Sequence, residues 1–309
     1  MTDGHGTVLS VSHVVWAEWP DLAIPDGVEL ISTGLADLTE AELGRITFYV
    51  PPYLSGRRGL EPTRRMPNLK VLQVPNAGYD DAIEYLRPGV TLCNARGVHD
   101  ESTAELAVAL ALASRRGFAR FGAAQREGLW RRSIEPSLTD SRIAVVGHGS
   151  IGKTIVCMLQ GFSVTVTSFS RRGTDGAYPV SELRGALGDF DVVILVLPLT
   201  AESTGMVDAG FLAAMRDGAV LVNVARGPVV DTDALVRELE SGRLRAGLDV
   251  TDPEPLPEGH PLWSAPNCII TPHVGGNTSA FAPRMRALIS QQLARLIRGE
   301  DVANVVARG

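Results

Sequence analysis

"RIAVVGHGSIGKTIVCMLQ", residues 142–160, decides the fold. Its IAVV run is apolar and strand-like, and its KTIVCMLQ end has a helical pattern. Between them Gly147, Gly149 and Gly152 stand in G-x-G-x-x-G spacing. In a chain with 32 glycines the spacing alone carries little, because tight turns use glycine anyway. A strand directly before it and a helix directly after it are the context that gives it meaning. There Gly147 permits the turn, Gly149 lets the backbone approach a pyrophosphate, and Gly152 allows close helix–strand packing. Unpaired N–H groups at the helix start, around Ser150 and Ile151, then face the phosphates.

Outward from this stretch, short β-rich runs alternate with helical patterns, which predicts an α/β chain with parallel sheets. From 142 onward the runs are RIAVVG (142–147), SVTVTSF (163–169), DVVILVL (191–197), AVLVNVA (219–225), RAGLDV (245–250) and NCIITP (267–272). Six strands are the element count of a doubly wound dinucleotide domain. DTDALVRELESG (231–242) opens on a capping aspartate and closes at a glycine. The first domain offers TVLSVS (7–12), VELIST (28–33), ITFYV (46–50), LKVLQV (69–74) and VTLCNA (90–95). Between the two series, ESTAELAVALALASRR (101–116) is apolar on nearly every side and predicts a buried helix. An irregular polar arm over 117–140, containing Trp130, is expected to follow. A last helix over 279–299 returns most simply to the first domain, making that domain discontinuous.

Composition narrows the class. A chain of 309 residues with 45% hydrophobic content supports two domains with real cores. A formal net charge of −6 excludes a global basic surface for nucleic acid. The pairs Arg64–Arg65, Arg115–Arg116 and Arg131–Arg132 read as solvated surface. Cys93, Cys157 and Cys268 are far apart, without metal-like spacing, and read as reduced core thiols of a cytoplasmic protein. No metal site is expected. The N-terminal residues lack a basic region and a long apolar stretch, so no export signal is expected. No segment approaches the roughly 20 apolar residues that span a bilayer.

In an open α/β sheet, ligands bind beyond the carboxyl ends of the strands. Those ends supply Arg226 after VLVNVA, Asp249 closing RAGLDV with Glu254 in the next loop, and His273 after CIIT, followed by Gly275 and Gly276. Each alone has an ordinary structural reading, as an ion pair, a loop acid or a capping histidine. Together, beside a dinucleotide loop, they make chemical sense. Hydride transfer to a 2-oxoacid needs a cation for the carboxylate and carbonyl and a proton donor for the developing alkoxide. A carboxylate beside the histidine fixes its tautomer and favours the imidazolium.

These residues resemble the D-isomer-specific 2-hydroxyacid dehydrogenase family. The likeness rests on VVGHGSIG, LPLTAEST, VNVARGPVVD, GLDVTDPEPLP and TPHVGG in that order, and it is weaker in the first 60 residues. The resemblance implies a Rossmann cofactor domain (99–276) inserted in a flavodoxin-like substrate domain (1–98 and 277–309), hinged to close over substrate. It implies that Arg226 binds and polarises the 2-oxoacid, that His273 donates the proton in reduction, and that Glu254 orients and charges His273. Asp249 would contact the nicotinamide carboxamide, and Leu197, Pro198, Thr204, Val224 and Ala225 would line the cofactor. In the first domain, VPNAGYDD resembles the substrate-carboxylate loop, so the N–H groups near Asn76, Ala77 and Gly78 form the cradle, with Tyr53 lining the pocket. Helix 101–116 and the arm after it resemble the family's homodimer contact.

The end of the second Rossmann strand refines the cofactor. Where NAD-preferring relatives carry an aspartate, this chain has Ser170, Arg171 and Arg172. Arginines suit a 2′-phosphate through charge-assisted bonds, and the missing aspartate removes a repulsion. NADP(H) is therefore expected over NAD(H), and reduction over oxidation. The alternatives are a phosphite or other small-acid dehydrogenase of the same fold and a non-catalytic NAD(H)-sensing relative. Formate enzymes of the family pair the histidine with glutamine, which Glu254 argues against.

Overall fold

The structure, a computed structural model, describes residues 13–309, so the strand expected at 7–12 lies outside the described residues. The strands are β1 (His13–Trp16), β2 (Val28–Ile31), β3 (Phe48–Tyr49), β4 (Val71–Gln73), β5 (Thr91–Cys93), β6 (Arg142–Val146), β7 (Thr165–Ser170), β8 (Tyr178–Pro179), β9 (Val192–Leu195), β10 (Val220–Asn223), β11 (Arg245–Leu248), β12 (Cys268–Ile270) and β13 (Val305–Arg308). The chain divides into two compact units, one made of residues up to His99 with Ser279–Gly309, the other of Asp100–Thr278. Each boundary stands one or two residues from the sequence expectation.

In the second unit the strand order is β12-β11-β10-β9-β6-β7-β8, parallel throughout. Order reverses between β6 and β9, and in doubly wound sheets the ligand crevice opens at that switch, beyond the strand ends. The unit has seven strands rather than the six expected, the extra one being the two-residue edge strand β8. Apolar runs form its centre because both faces are covered. Val193 and Leu195 join a core with Phe169, Phe211 and Leu235, whereas Val192 and Ile194 point oppositely into one with Ala107, Ala111 and Ile155. Each such side chain, fully buried, contributes about 1.5–3 kcal/mol. The helix Thr232–Glu240 starts as the sequence predicts, with Asp231 accepting from the Ala234 N–H. Such a cap is worth about 1 kcal/mol.

The helix Asp100–Arg115 lays its alanines on this sheet. Gly117, at φ +67°, ends it, and a second helix runs over Phe118–Arg126. The arm expected to be irregular over 117–140 is thus helical in its first part. Its alanines and long polar side chains favour helix, and the left-handed glycine merely restarts it. Arg115 is not solvated surface as expected. It is 9% exposed and donates to the Ser137 carbonyl and the Ser141 hydroxyl, pinning the arm. Glu135 adds ion pairs with Arg120 and Arg245.

In the first unit the order is β13-β5-β4-β3-β1-β2. The stretch β2-β1-β3-β4-β5 is the parallel flavodoxin-like order, and β13 adds an antiparallel edge that the sequence reading lacked. Met285, Ile289 and Leu293 of the helix Phe281–Ile297 pack on one face with Val15, Phe48 and Val71. Trp16, Tyr49, Leu72 and Leu92 build the core of the other. Of the cysteines, Cys93 is buried, Cys268 is half-buried and Cys157 is exposed, so the core-thiol expectation fails for Cys157. Among the described residues no helix is long and apolar enough to cross a membrane.

Candidate active site

The glycine loop joins β6 to the helix Ser150–Leu159, at the switch point. Gly147 has φ +118°, and a Cβ there would lie 2.4 Å from the Val196 carbonyl oxygen, so loop and β9 touch backbone to backbone. A Cβ on Gly152 would stand 1.9 Å from the Gly147 oxygen, so this glycine closes helix on loop rather than on strand. Around Gly149 a Cβ would meet nothing within 4 Å. No side chain caps the helix, which leaves its first-turn N–H groups, at Ser150 and Ile151, for an anion. Open space over a bare helix start fits a pyrophosphate.

At the end of β7 the Ser170 hydroxyl accepts from the Gly173 N–H at 3.1 Å and the Thr174 N–H at 3.4 Å, folding the turn that carries the arginines. Arg171 and Arg172 are exposed and make no salt bridge among the described residues. Arg171 lies within electrostatic reach of Glu202. Asp175, at φ +58°, tethers the turn to the glycine loop: its carboxylate pairs with Lys153 at 3.3 Å, and its carbonyl lies 3.2 Å from His148 Nε2. Because a carbonyl only accepts, Nε2 carries the proton there. The sequence reading missed this tether. Two exposed arginines thus stand beside an immobilised serine at the end of β7.

Arg226 follows β10, and Asn223 positions it. The buried Asn223 amide donates to the Arg226 carbonyl at 3.0 Å, and its oxygen accepts from the Ala225 N–H at 3.0 Å. A Cβ on Gly227 would stand 1.9 Å from the Thr251 oxygen, so the arginine loop lies against the loop carrying Glu254.

His273 sits at φ +52°, a strained position for a non-glycine residue. Asp249 holds it there. Its carboxylate, in a residue 3% exposed, accepts from the Thr271 hydroxyl at 2.6 Å and the Val274 and Gly275 N–H groups at 2.8 and 2.9 Å. Its carbonyl accepts from the His273 N–H at 2.7 Å. A carboxylate offers roughly four acceptor sites, so little of Asp249 is left for a ligand. Its observed work is to build the histidine turn.

Nδ1 of His273 lies 2.6 Å from Oε1 of Glu254. That hydrogen bond raises the His273 pKa above its ordinary 6.5, with help from the nearby charges of Glu254 and Asp249 and against burial and Arg226. The same bond, with the charges of His273 and Arg226, holds Glu254 below its ordinary 4.5. Nδ1–H is thus committed to the carboxylate, and Nε2 is left to give or take a proton. The structure brings Arg226, Asp249, Glu254 and His273 together at one sheet edge.

Other expected residues fall less centrally. Leu197 and Pro198 lie just beyond β9. The Thr204 hydroxyl is spent on the Thr200 carbonyl at 2.8 Å, and the residue lines a cleft of about 440 Å³ with Pro228, Asp231 and His260. Val224 and Ala225 are buried in the core, and Gly275 is buried beside half-buried Gly276. In the first unit, the Tyr53 ring stacks on Phe281 with centroids 3.8 Å apart. Asn76, Ala77 and Gly78 form the loop after β4.

A doubly wound sheet with a glycine loop at its switch point and a hydrogen-bonded histidine–carboxylate pair beside an arginine defines a dinucleotide-dependent oxidoreductase. The family profile for "D-isomer specific 2-hydroxyacid dehydrogenase, NAD binding domain" matches residues 108–275. The chain is 34% identical over 264 residues to a glyoxylate reductase of Pyrococcus furiosus, covering 80% of this chain and 78% of that protein. It is 33% identical over 250 residues to human glyoxylate reductase/hydroxypyruvate reductase, 76% of each chain. Among solved structures, a D-isomer specific 2-hydroxyacid dehydrogenase from Xanthobacter autotrophicus Py2, in complex with NADPH and MES, is similar with a TM-score of 0.75. Its identity is 28%, over 96% of this chain and 98% of that one. The chain belongs to the D-isomer-specific 2-hydroxyacid dehydrogenase family, NAD(P)-dependent oxidoreductases that act on the CH–OH group of a 2-hydroxy acid.

Proposed function

We propose that this protein reduces a small 2-oxoacid to the D-2-hydroxy acid, with NADP(H) preferred over NAD(H) and His273 as the proton donor. The observation that carries the reading is the 2.6 Å contact between His273 Nδ1 and Glu254 Oε1. It fixes the ring, keeps it protonated to higher pH and leaves Nε2–H as the acid. The bound reduced nicotinamide supplies the hydride for C2. The pyrophosphate belongs at the N–H groups of Ser150 and Ile151. Arg226 polarises the carbonyl and offsets the charge that grows on its oxygen, and His273 Nε2–H delivers the proton to that oxygen, completing the alcohol. In the first unit the Ala77 and Gly78 N–H groups are assigned to the substrate carboxylate.

The cofactor preference rests on Arg171 and Arg172, which are exposed beside Ser170. The arm, whose Trp130 and Ile134 are 88% and 102% exposed, is read as the surface for a second copy of this chain. Unpaired cysteines fit a reducing compartment, the cytoplasm. The test is turnover of glyoxylate, hydroxypyruvate and phenylpyruvate with NADPH and with NADH, followed by nicotinamide absorbance. At least one acid is expected to be reduced, with higher kcat/KM for NADPH. No turnover of any acid would overturn the reading, and a higher value with NADH would overturn its cofactor part.

A further inference from the structure

The loop over 76–78 in the first unit is held by a buried amide network. Asn94, 6% exposed, donates from Nδ2 to the Ala77 carbonyl at 2.7 Å, and the Ala95 N–H donates to the Asn76 carbonyl at 2.9 Å. Asn94 is itself fixed, its Oδ1 accepting from the Arg96 N–H and its backbone N–H donating to the Asn304 carbonyl at 3.1 Å. Behind it, the wholly buried Gln73 donates to the Val74 and Asn94 carbonyls at 3.1 and 3.0 Å. Gln292, on the helix Phe281–Ile297, donates to the Gln73 oxygen at 2.9 Å and also grips the Ala303 backbone.

This arrangement dictates where the loop's N–H groups point. In a trans peptide the C=O of one residue and the N–H of the next are antiparallel. Drawing the Asn76 and Ala77 oxygens inward therefore turns the Ala77 and Gly78 N–H groups outward. Neither donates a hydrogen bond among the described residues, and both residues are half-buried. Two neighbouring outward N–H groups on a rigid loop form an anion-binding concavity. The Asn94 amide commits a donor to the Ala77 carbonyl, so the orientation of that peptide depends on it.

We propose that Asn94 is a positioning residue for substrate recognition: it touches no substrate but, by holding the Ala77 carbonyl, aims the Gly78 amide, beside the Ala77 amide that the Ala95–Asn76 bond sets, at the 2-oxoacid carboxylate. The assignment rests on the 2-oxoacid reading above. Asn94→Ala removes the donor, and Asn94→Ser keeps a shorter one. The assay uses the 2-oxoacid turned over best among glyoxylate, hydroxypyruvate and phenylpyruvate, with oxalate as a competitive carboxylate analogue. In Asn94→Ala, KM for the acid and Ki for oxalate are expected to rise together about tenfold, the loss of one well-placed hydrogen bond. kcat and KM for NADPH are expected to stay within about twofold, as for a lost uniform binding interaction. Asn94→Ser should fall between the two, and it is read alone if the alanine variant does not fold. Unchanged KM and Ki in the variants, with wild-type turnover normal, overturn the role of Asn94 alone. So does a fall in kcat with an equal rise in KM for NADPH, which marks general disruption. A wild type that turns over no 2-oxoacid overturns the functional reading and this assignment with it.

Discussion

The Nδ1–H of His273 donates to Oε1 of Glu254 at 2.6 Å, and each group moves the other's pKa away from its ordinary value, the histidine up and the glutamate down. If His273 is the proton donor, as proposed, reduction needs the imidazolium, and kcat/KM for the oxoacid should fall as pH rises through the raised His273 value. Glu254→Gln keeps the shape but removes the main raising influence. The fall should then begin at lower pH, with kcat reduced on the order of 10²-fold. His273→Ala should lose more, while the far-UV spectrum stays unchanged. A pH–rate profile of Glu254→Gln that overlays the wild type would refute this coupling. The pair's contribution to stability follows the same signs. It is complete between about 4.5 and 6.5, the unfolded values, and fades below through the Glu254 titration and above through that of His273.

Asp249 is buried under the histidine turn, accepting from Thr271, Val274 and Gly275. Asparagine presents one acceptor and one donor, so one N–H of the turn would face an NH₂ group. A lost charge-assisted bond costs about 1.5–3 kcal/mol, or a Tm lower by about 3–12 °C for a unit of this size. Asp249→Asn should show that drop in calorimetry, together with weaker catalysis because His273 loses its seat. Full activity at a lowered Tm would separate the turn from the chemistry.

Arg171 and Arg172 stand free at the end of β7, beside the Ser170 turn. If they hold the 2′-phosphate, Arg171→Ala with Arg172→Ala should raise KM for NADPH by about 10–100-fold, the worth of one charge-assisted bond. KM for NADH should barely move. Adding Ser170→Asp should reverse the preference, since the new carboxylate repels a phosphate and accepts from ribose hydroxyls. Parallel changes for both cofactors would show that the arginines do not discriminate.

Much of this was legible in the sequence where one physical demand governs a stretch. A parallel sheet covered on both faces needs continuous apolar runs, and IAVV, VVIL and VLV are such runs. Gly147 and Gly152 were legible for a related reason, since the backbone approaches there admit no side chain. Less legible were residues whose role depends on what tertiary structure brings to them. Asn223 and Thr271 look like ordinary polar strand ends until their partners, the Arg226 carbonyl and Asp249, are in place. Asn94 was hidden likewise, 17 positions from the carbonyl it holds. The short strand β13 pairs antiparallel to β5 at the far end of the chain, and no local pattern announces such a partner. Arg115 reads as half of a surface arginine pair because the serines that bury it come later in the chain.

The arm offers the last prediction. Arg115 and Glu135 fasten it at its base, while Trp130 and Ile134 remain almost wholly exposed. Large apolar side chains held outward on a fastened segment lose water favourably only against another surface. At about 25 cal/mol per Å² of apolar area, two of them contribute several kcal/mol to association. A second copy of this chain presents the same arm, as a two-fold interface requires. Light scattering should therefore find a dimer for the wild type, and Trp130→Asp with Ile134→Asp should shift it to monomer at micromolar concentration. The Arg115 anchor lies outside the substituted pair, so the monomer should keep its helical content. A wild type that is monomeric at every concentration tested would remove the second copy as the occupant of this surface.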